Sequence, residues 1–151
     1  MKSTSKAHKQ EVFGRVLRSF PRLQRILVPL DFSGKSRQAL LYAAPIAGKF
    51  SARISLLHVL PPKCTPVRKA AALKRLRETG QKMLPPSLLG EFLVRTGKPE
   101  REIIAAARQL DADLIALTTT GQTGLKRLLE GSTAEEVVRL APCPVLTVRK
   151  K

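Results

Sequence analysis

The sequence predicts an α/β fold, an open five-stranded parallel sheet flanked by helices on both faces, and three observations support this. Short apolar stretches alternate along the chain with stretches whose apolar residues recur at helical spacing. The apolar stretches are nearly continuous, which is typical of strands buried on both faces. Strands that alternate with helices favour right-handed crossovers and therefore parallel pairing. The length of 151 residues fits one such domain.

The predicted strands are short apolar runs bounded by turn signals. The second run, ISLLHVL, is closed by Pro61 and Pro62, which cannot donate to a sheet. We predict strands at residues 25–30, 54–60, 91–95, 113–118 and 144–149.

Two of the predicted helices, at residues 36–50 and 99–110, carry a clear apolar face. Pro45 predicts a kink in the first of them. Gly97 turns the chain before the other, and Pro99 fits its first turn. The expected packing residues are Ala39, Leu40, Ala43, Ala44 and Ala47 in the first of these helices, and Ile103, Ile104, Ala106 and Ala107 in the second.

The other two predicted helices lie at residues 67–81 and 132–140. The helix at 67–81 is very basic. Its apolar side is expected to consist of Val67, Ala70, Ala71, Leu73 and Leu76. The helix at 132–140 follows a glycine-bearing loop.

Residues 1–24 are predicted to be a basic extension that precedes one domain at 25–151. The extension has apolar residues at helical spacing, and Pro21 ends the pattern. These residues are Val12, Phe13, Val16, Leu17 and Phe20. The pattern predicts a short basic amphipathic helix. Its role stays open between a solvated arm, an arm that contacts a polyanion or a membrane, and a targeting presequence.

The charge is strongly positive, with 28 Lys and Arg against 11 Asp and Glu, a formal net charge of +17. The positive charges concentrate in residues 1–25 and 63–82. Such blocks attract polyanions, whether nucleic acid, anionic lipid or nucleotide. The chain has no apolar run long enough for a membrane span, no secretory signal pattern and only two cysteines. We therefore expect a cytoplasmic protein with no transmembrane segment.

The first candidate binding segment, PLDFS, directly follows the first predicted strand. Ligands of open parallel sheets bind beyond the carboxyl ends of the strands, where the winding direction reverses. Asp31 accepts hydrogen bonds only, which suits paired ribose hydroxyls or a hard cation. A helix-capping or turn role for Asp31 stays open, and Ser33 is expected to be a cap rather than a ligand.

The second candidate segment runs from Thr118 to Ser132 and contains Gly121 and Gly131. Glycines let a backbone approach phosphate closely, and a helix that begins at Ser132 directs free N–H groups at an anion. An alternative is a capping box, in which Ser132 and Glu135 satisfy the helix start without a ligand. The two interpretations are compatible, although a carboxylate at that end opposes phosphate.

Four segments in order resemble the universal stress protein family. They are RILVPLDFSGKSRQAL, ISLLHV, VRTGKPEREIIAAA and DLIALTTTGQTGLKRLLEGSTAEEVVRLAPCPVLTVRK, and the match covers about residues 25–149. The resemblance implies a Rossmann-like sheet of strand order 3-2-1-4-5, of the adenine nucleotide alpha hydrolase type. It also implies a homodimer that pairs through the last strand. Many family members bind ATP through a loop of pattern Gly-x2-Gly-x9-Gly-Ser/Thr.

The resemblance also implies site residues. Asp31 resembles the family's acid that contacts the ribose and the metal. The Val59 backbone resembles the family's backbone group that contacts adenine. The family's phosphate loop is matched in this sequence by Gly121, Gly131 and Ser132. Its first glycine is replaced by Thr118. The full implied nucleotide-binding set is Pro29, Asp31, Val59, Thr118, Gly121, Gly131, Ser132 and Thr133.

The function predicted from these observations is an ATP-binding regulatory or stress-response module without catalytic residues. Slow ATP hydrolysis is the expected upper limit of activity, and Asp31 is the candidate to meet Mg²⁺ that arrives with ATP. His58 and Cys64 lack further ligands at metal-site spacing, so no metal site of the protein alone is expected. The alternative is an interaction module that does not bind nucleotide and acts through its basic surface on nucleic acid or an acidic protein.

Overall fold

The strands and helices alternate along the chain as the sequence predicts. The computed structural model describes residues 10–12, 14, 22–119 and 133–149. The strands are β1 Arg25–Pro29, β2 Arg53–Leu60, β3 Leu89–Thr96, β4 Leu114–Thr119 and β5 Val145–Arg149. The helices are α1 Ser36–Phe50, α2 Pro66–Met83, α3 Pro99–Gln109 and α4 Thr133–Leu140, and a short 3₁₀ turn covers Pro86–Leu88.

All strand pairs are parallel, and the strand order is β3-β2-β1-β4-β5. This confirms the predicted fold class. Helices α1 and α2 pack on one face of the sheet, and α3 and α4 pack on the other. The two faces are filled by small and branched residues, with Leu40 and Leu56 on one side and Leu57 and Ile115 on the other.

An aspartate fixes the amino ends of the two central strands. The Asp113 Oδ2 atom accepts the N–H groups of both Gln24 and Arg25, at 2.9 Å each. The Asp113 N–H donates in turn to the Arg25 carbonyl at 2.8 Å. Asp113, which precedes β4, therefore holds the start of β1 by three hydrogen bonds.

The third strand is longer than predicted because it contains a bulge. Ile54 pairs with Leu89 but Leu56 pairs with Phe92, so β3 accommodates one additional residue there. The Ser55 hydroxyl accepts the N–H of Glu91 at 3.0 Å inside the bulge. A Cβ on Gly90 would lie only 2.6 Å from that hydroxyl, so the position requires glycine.

The α3 face is as predicted, since Ile103, Ile104, Ala106 and Ala107 are all buried. The α1 face agrees with the prediction at Ala39, Leu40, Ala43 and Ala47, which are buried, and Ala44 is half-buried. Pro45 lies inside a helix that continues to Phe50, and the kink stays a prediction. The Gly97 turn is confirmed by a φ of 149°.

The predicted apolar side of α2 is largely wrong. The buried residues are Ala72, Leu76 and Gly80, whereas Val67 is 78% exposed and both Ala70 and Ala71 are exposed. The helix is turned by a close approach at Gly80, where a Cβ would lie 2.7 Å from the Phe92 ring. That contact joins residues far apart in sequence, so helical periodicity alone does not show it.

Within the ranges that the structure describes, no helix is both long enough and apolar enough to cross a membrane. Of the described residues of the N-terminal extension, 10–12 and 14 are helical, and 22–24 lead into β1 without regular secondary structure. The other residues of the predicted amphipathic helix, from Phe13 to Phe20, lie outside the described ranges apart from Gly14.

Candidate functional site

The central strands separate at their carboxyl ends. The register between β1 and β4 ends at Leu27 and Ile115, although β4 continues beside β5 to Thr119. Pro29 closes β1 and has no N–H to donate, so it cannot extend the ladder toward β4. Because β2 and β4 flank β1 on opposite sides, this is the point where the winding direction reverses.

Asp31 lies in the turn that leaves β1. Its Oδ1 atom accepts the Ser33 N–H at 2.8 Å, so the carboxylate stabilises the turn, and the side chain stays exposed. Burial alone would raise the pKa of Asp31, but hydrogen bonds from Ser33 and Ser36 outweigh it and hold the pKa below its usual value. Asp31 is therefore a fixed anion at neutral pH.

Ser33 has the capping role that the sequence predicts. Its hydroxyl accepts the N–H of Ser36, the first residue of α1, at 3.1 Å. The Ser36 hydroxyl donates back to the Ser33 carbonyl at 3.1 Å. These reciprocal bonds fix the entry into α1 directly after Asp31.

An aromatic stack supports the same turn. Phe32 has a φ of 65°, a region that residues other than glycine rarely adopt. Its ring lies 4.2 Å from the His58 ring, centroid to centroid, and the Arg75 guanidinium carbon lies 4.4 Å from the Phe32 centroid. The stack joins β2, α2 and the Asp31 turn, and it was not predicted. The sequence signal was a lone aromatic residue directly after Asp31.

His58 is a packed strand residue, as predicted. Its Nδ1 atom lies 2.6 Å from the Leu30 carbonyl. A carbonyl oxygen only accepts, so Nδ1 carries the proton. The bond ties the end of β1 to β2 just before the Asp31 turn.

The backbone of Val59 faces the space beyond the end of β1. The Leu30 N–H donates to the Leu57 carbonyl at 2.8 Å, so that carbonyl points toward β1. Backbone groups two residues apart in a strand point to the same side, so the Val59 N–H and C=O also do. In the described part of the chain neither group has a hydrogen-bond partner on that side. Val59 therefore offers a free donor and a free acceptor next to each other.

The structure describes only some of the other predicted site residues. Thr118 is half-buried on β4 beside Val148, and Thr133 is the half-buried first residue of α4. Gly121, Gly131 and Ser132 lie outside the described residues, as does the Ser132 half of the predicted capping box. At the end of β4 the Thr119 hydroxyl is buried and makes no hydrogen bond with the described residues, a feature that the sequence did not indicate.

Comparisons with known proteins establish the family of the chain and its fold. The sequence model described as the Universal stress protein family matches residues 22–149. The chain belongs to the universal stress protein family. A universal stress protein of Methanocaldococcus jannaschii is 35% identical to it, over 95% of this chain and 93% of that protein.

Solved universal stress protein structures have the same fold. The UspA protein of Lactobacillus plantarum is 30% identical, with a TM-score of 0.68 over 85% of this chain and 99% of that one. A universal stress protein of Archaeoglobus fulgidus, solved in complex with dAMP, is 21% identical. Its TM-score is 0.66, over 84% of this chain and 98% of that one.

The universal stress protein fold brings three of the predicted site residues to one edge of the sheet. Val59 on β2, Asp31 after β1 and Thr118 on β4 lie on three adjacent strands, at or just beyond their carboxyl ends. Pro29 contributes by ending β1 rather than by a polar group. Along this edge the Val59 backbone, the Asp31 carboxylate and the separation of β1 from β4 follow one another.

Proposed function

We propose that this universal stress protein is an ATP-binding regulatory module whose nucleotide lies across the carboxyl ends of β2, β1 and β4. The observation that carries the proposal is that the Val59 N–H and C=O point past the end of β1 and meet no hydrogen-bond partner there among the described residues. Unpaired backbone groups at a strand end are costly unless water or a ligand satisfies them. An adenine edge, with a ring-nitrogen acceptor beside an amino donor, complements that pair.

Asp31 is the proposed partner of the ribose and of the cation. An anionic carboxylate accepts hydrogen bonds from two adjacent hydroxyls, and it is a preferred ligand of Mg²⁺. Within the described ranges, no three His, Cys, Asp or Glu side chains are grouped to hold a metal ion. In the proposed site Mg²⁺ arrives with the phosphates of ATP, and Asp31 is the carboxylate proposed to meet it.

The phosphates are proposed to lie between the end of β4 and the start of α4. The buried Thr119 hydroxyl supplies an unsatisfied polar group on that side, and the sequence adds Gly121, Gly131 and Ser132. Two acids, Glu135 and Glu136, lie in the first turn of α4 and reduce its attraction for an anion. This opposition, together with threonine at position 118, favours modest affinity.

A relative supports the choice of ligand class. The Archaeoglobus fulgidus protein, whose structure was solved with dAMP, has the same fold. Deoxyadenosine monophosphate shares the adenine and a phosphate with ATP. One universal stress protein of this fold was therefore solved with an adenine nucleotide, and Val59 and Asp31 are the groups proposed to bind the adenine and the sugar here.

Calorimetric titration with Mg-ATP tests the proposal. The expected dissociation constant is about 10 μM to 1 mM, or about −7 to −4 kcal/mol. Asp31→Asn should weaken binding by about 10-fold or more, because the amide loses the charge and part of the acceptor capacity. Asp111→Asn is the matched control, since Asp111 is exposed near the amino end of β1 and its φ of 44° suits asparagine.

The outcomes separate the proposal from its alternative. Equal affinities of the parent and both aspartate variants would contradict the assignment of Asp31. Absence of binding heat from the parent and from a Thr118→Gly variant would contradict nucleotide binding itself.

A further inference from the structure

Helix α2 carries six exposed cations and one acid over its eighteen residues. The cations are Arg68, Lys69, Lys74, Arg75, Arg77 and Lys82, and we call them the α2 basic surface. The acid is Glu78, which lies 4.0 Å from Lys74 in an i,i+4 ion pair. Across the ranges that the structure describes, none of the other five cations makes an ion pair. The surface therefore keeps nearly all of its charge available.

The packing of α2 leaves the charged residues free. The helix is attached to the sheet through a narrow line of Ala72, Leu76 and Gly80. Arg68, Arg75 and Lys82 recur every seven residues, so they lie in one row along the helix. At a rise of about 1.5 Å per residue the row is about 21 Å long. Lys74 and Arg77 widen the surface on the solvent side.

The middle of the row is held in place by an aromatic ring. The Arg75 guanidinium lies 4.4 Å from the Phe32 centroid, so its position is fixed by a cation–π contact rather than by a carboxylate. A guanidinium stacked in this way keeps its N–H donors at its edge, where they can bind a phosphate. A positioned arginine loses less conformational entropy when it binds than a free side chain does.

The shape of the surface favours a hydrated polyanion over a membrane. A helix that binds at a membrane interface inserts a face of large apolar residues. Leu76 has the largest side chain of the three residues that attach α2, and it is fully buried against the sheet. The exposed apolar residues of α2 are Val67, Ala70 and Ala71. Along the axis of a duplex each strand carries one phosphate about every 3.4 Å, so a row of about 21 Å covers the axial length of about six base steps.

From these observations we propose that the α2 basic surface is a docking site for the phosphodiester backbone of nucleic acid. The proposed contact neutralises phosphates, and contacts to phosphate oxygens carry no direct information about sequence. The test of the proposal does not rest on nucleotide binding at the sheet edge, because it uses Lys74 and Arg77, whereas Arg75 contacts Phe32 beside Asp31.

The test is fluorescence anisotropy with the full-length protein, a labelled DNA duplex and a labelled single-stranded RNA, at several salt concentrations. In Lys74→Gln/Arg77→Gln two phosphate contacts are lost. The slope of log affinity against log salt for the duplex should therefore fall in magnitude by about 1.8, and affinity at 100 mM salt should fall about 10- to 100-fold. Comparison of the two probes shows which nucleic acid is preferred.

The matched control is Arg101→Gln/Arg108→Gln. Both arginines are exposed on α3, on the opposite face of the sheet, and the change in net charge is the same. The control should retain the parent's salt slope. Melting temperatures check that both variants are folded, which the exposure of all four side chains favours.

Three results would overturn the proposal. One is the same loss of affinity in both double variants, which would show a general effect of net charge. Another is the absence of binding to either probe by the parent. The last is binding to vesicles of anionic phospholipid that depends on Lys74 and Arg77, without binding to nucleic acid, which would assign the surface to membranes.

Discussion

The family resemblance implies that Thr118 stands where the phosphate loop has its first glycine, and Thr118 is half-buried on β4 beside Val148. Its branched Cβ restricts the backbone and fills space at the edge where the proposed ribose lies. Thr118→Gly should therefore tighten Mg-ATP binding by removing the Cβ. Calorimetric titration measures the change.

Two further variants make this measurement decisive. Thr118→Ser keeps the hydroxyl but removes the branch, so it should give an intermediate affinity if steric crowding limits binding. Gly131→Val should abolish binding by blocking the approach of phosphate to the backbone. Nanomolar affinity of the parent would show instead that threonine suits the site.

Gly97 has a φ of 149°, which side-chain-bearing residues rarely adopt, and its N–H donates to the Leu60 carbonyl at 3.0 Å. A Cβ there would lie 2.9 Å from the Glu102 Oε1 atom, and Glu102 is held by Arg95 at 3.4 Å. Gly97→Ala should lower the free energy of unfolding by about 1–3 kcal/mol, mainly through backbone strain. Chemical denaturation measures this.

Gly48→Ala is the control for that experiment. Gly48 lies in α1 with open space around its Cα and ordinary helical φ. Alanine there should raise the free energy of unfolding by about 0.5–1 kcal/mol. If both variants lose stability to the same extent, the unusual backbone of Gly97 is not the cause.

At the scale of elements, strand β5 is an open edge. The Ile115 N–H donates to the Pro144 carbonyl, and Ile115 is in register with Val145. In a parallel ladder this directs the N–H groups of Leu146 and Val148 to β4 and those of Val145 and Thr147 to the free edge. An edge that presents unpaired donors is a template for another strand. We propose a homodimer through residues 144–149, as the family resemblance implies.

Thr147→Pro should convert this dimer to a monomer. Proline removes a donor at the free edge but none that β4 uses, and Thr147 is exposed. Thr147→Val keeps the donor and the branched shape, so it should remain dimeric. Sedimentation velocity at about 100 μM gives the measurement. A parent that is monomeric at this concentration, or a dimer that persists in Thr147→Pro, would exclude the β5 interface.

At the scale of the whole molecule, the sequence predicts what depends on local pattern. Apolar continuity located β1 and β4 to within one residue at each end, and helical spacing identified the buried face of α3. Contacts between distant residues were not predictable. The bulge at Gly90 depends on Ser55, and the orientation of α2 depends on the meeting of Gly80 with Phe92.

In the candidate site too, local sequence indicated some features, and others depend on contacts between distant residues. Asp31 was identifiable because a lone acid follows an apolar strand. The availability of the Val59 backbone depends on where β1 ends relative to β2, which only the sheet register gives. The stack of Arg75, Phe32 and His58 combines three elements, so no single segment of sequence indicates it.

The hydrogen bonds of Asp113 to Gln24 and Arg25 also affect how the molecule bears a mechanical load. A force applied to the N-terminal extension reaches the sheet at Gln24 and Arg25, where the carboxylate of Asp113 holds both N–H groups. Because β1 lies between two parallel neighbours, such a pull slides it lengthwise against β2 and β4. The hydrogen bonds on both sides then share the tension and must fail together, whereas bonds that are peeled apart fail one at a time. A lengthwise load on β1 is therefore resisted by both of its ladders at once.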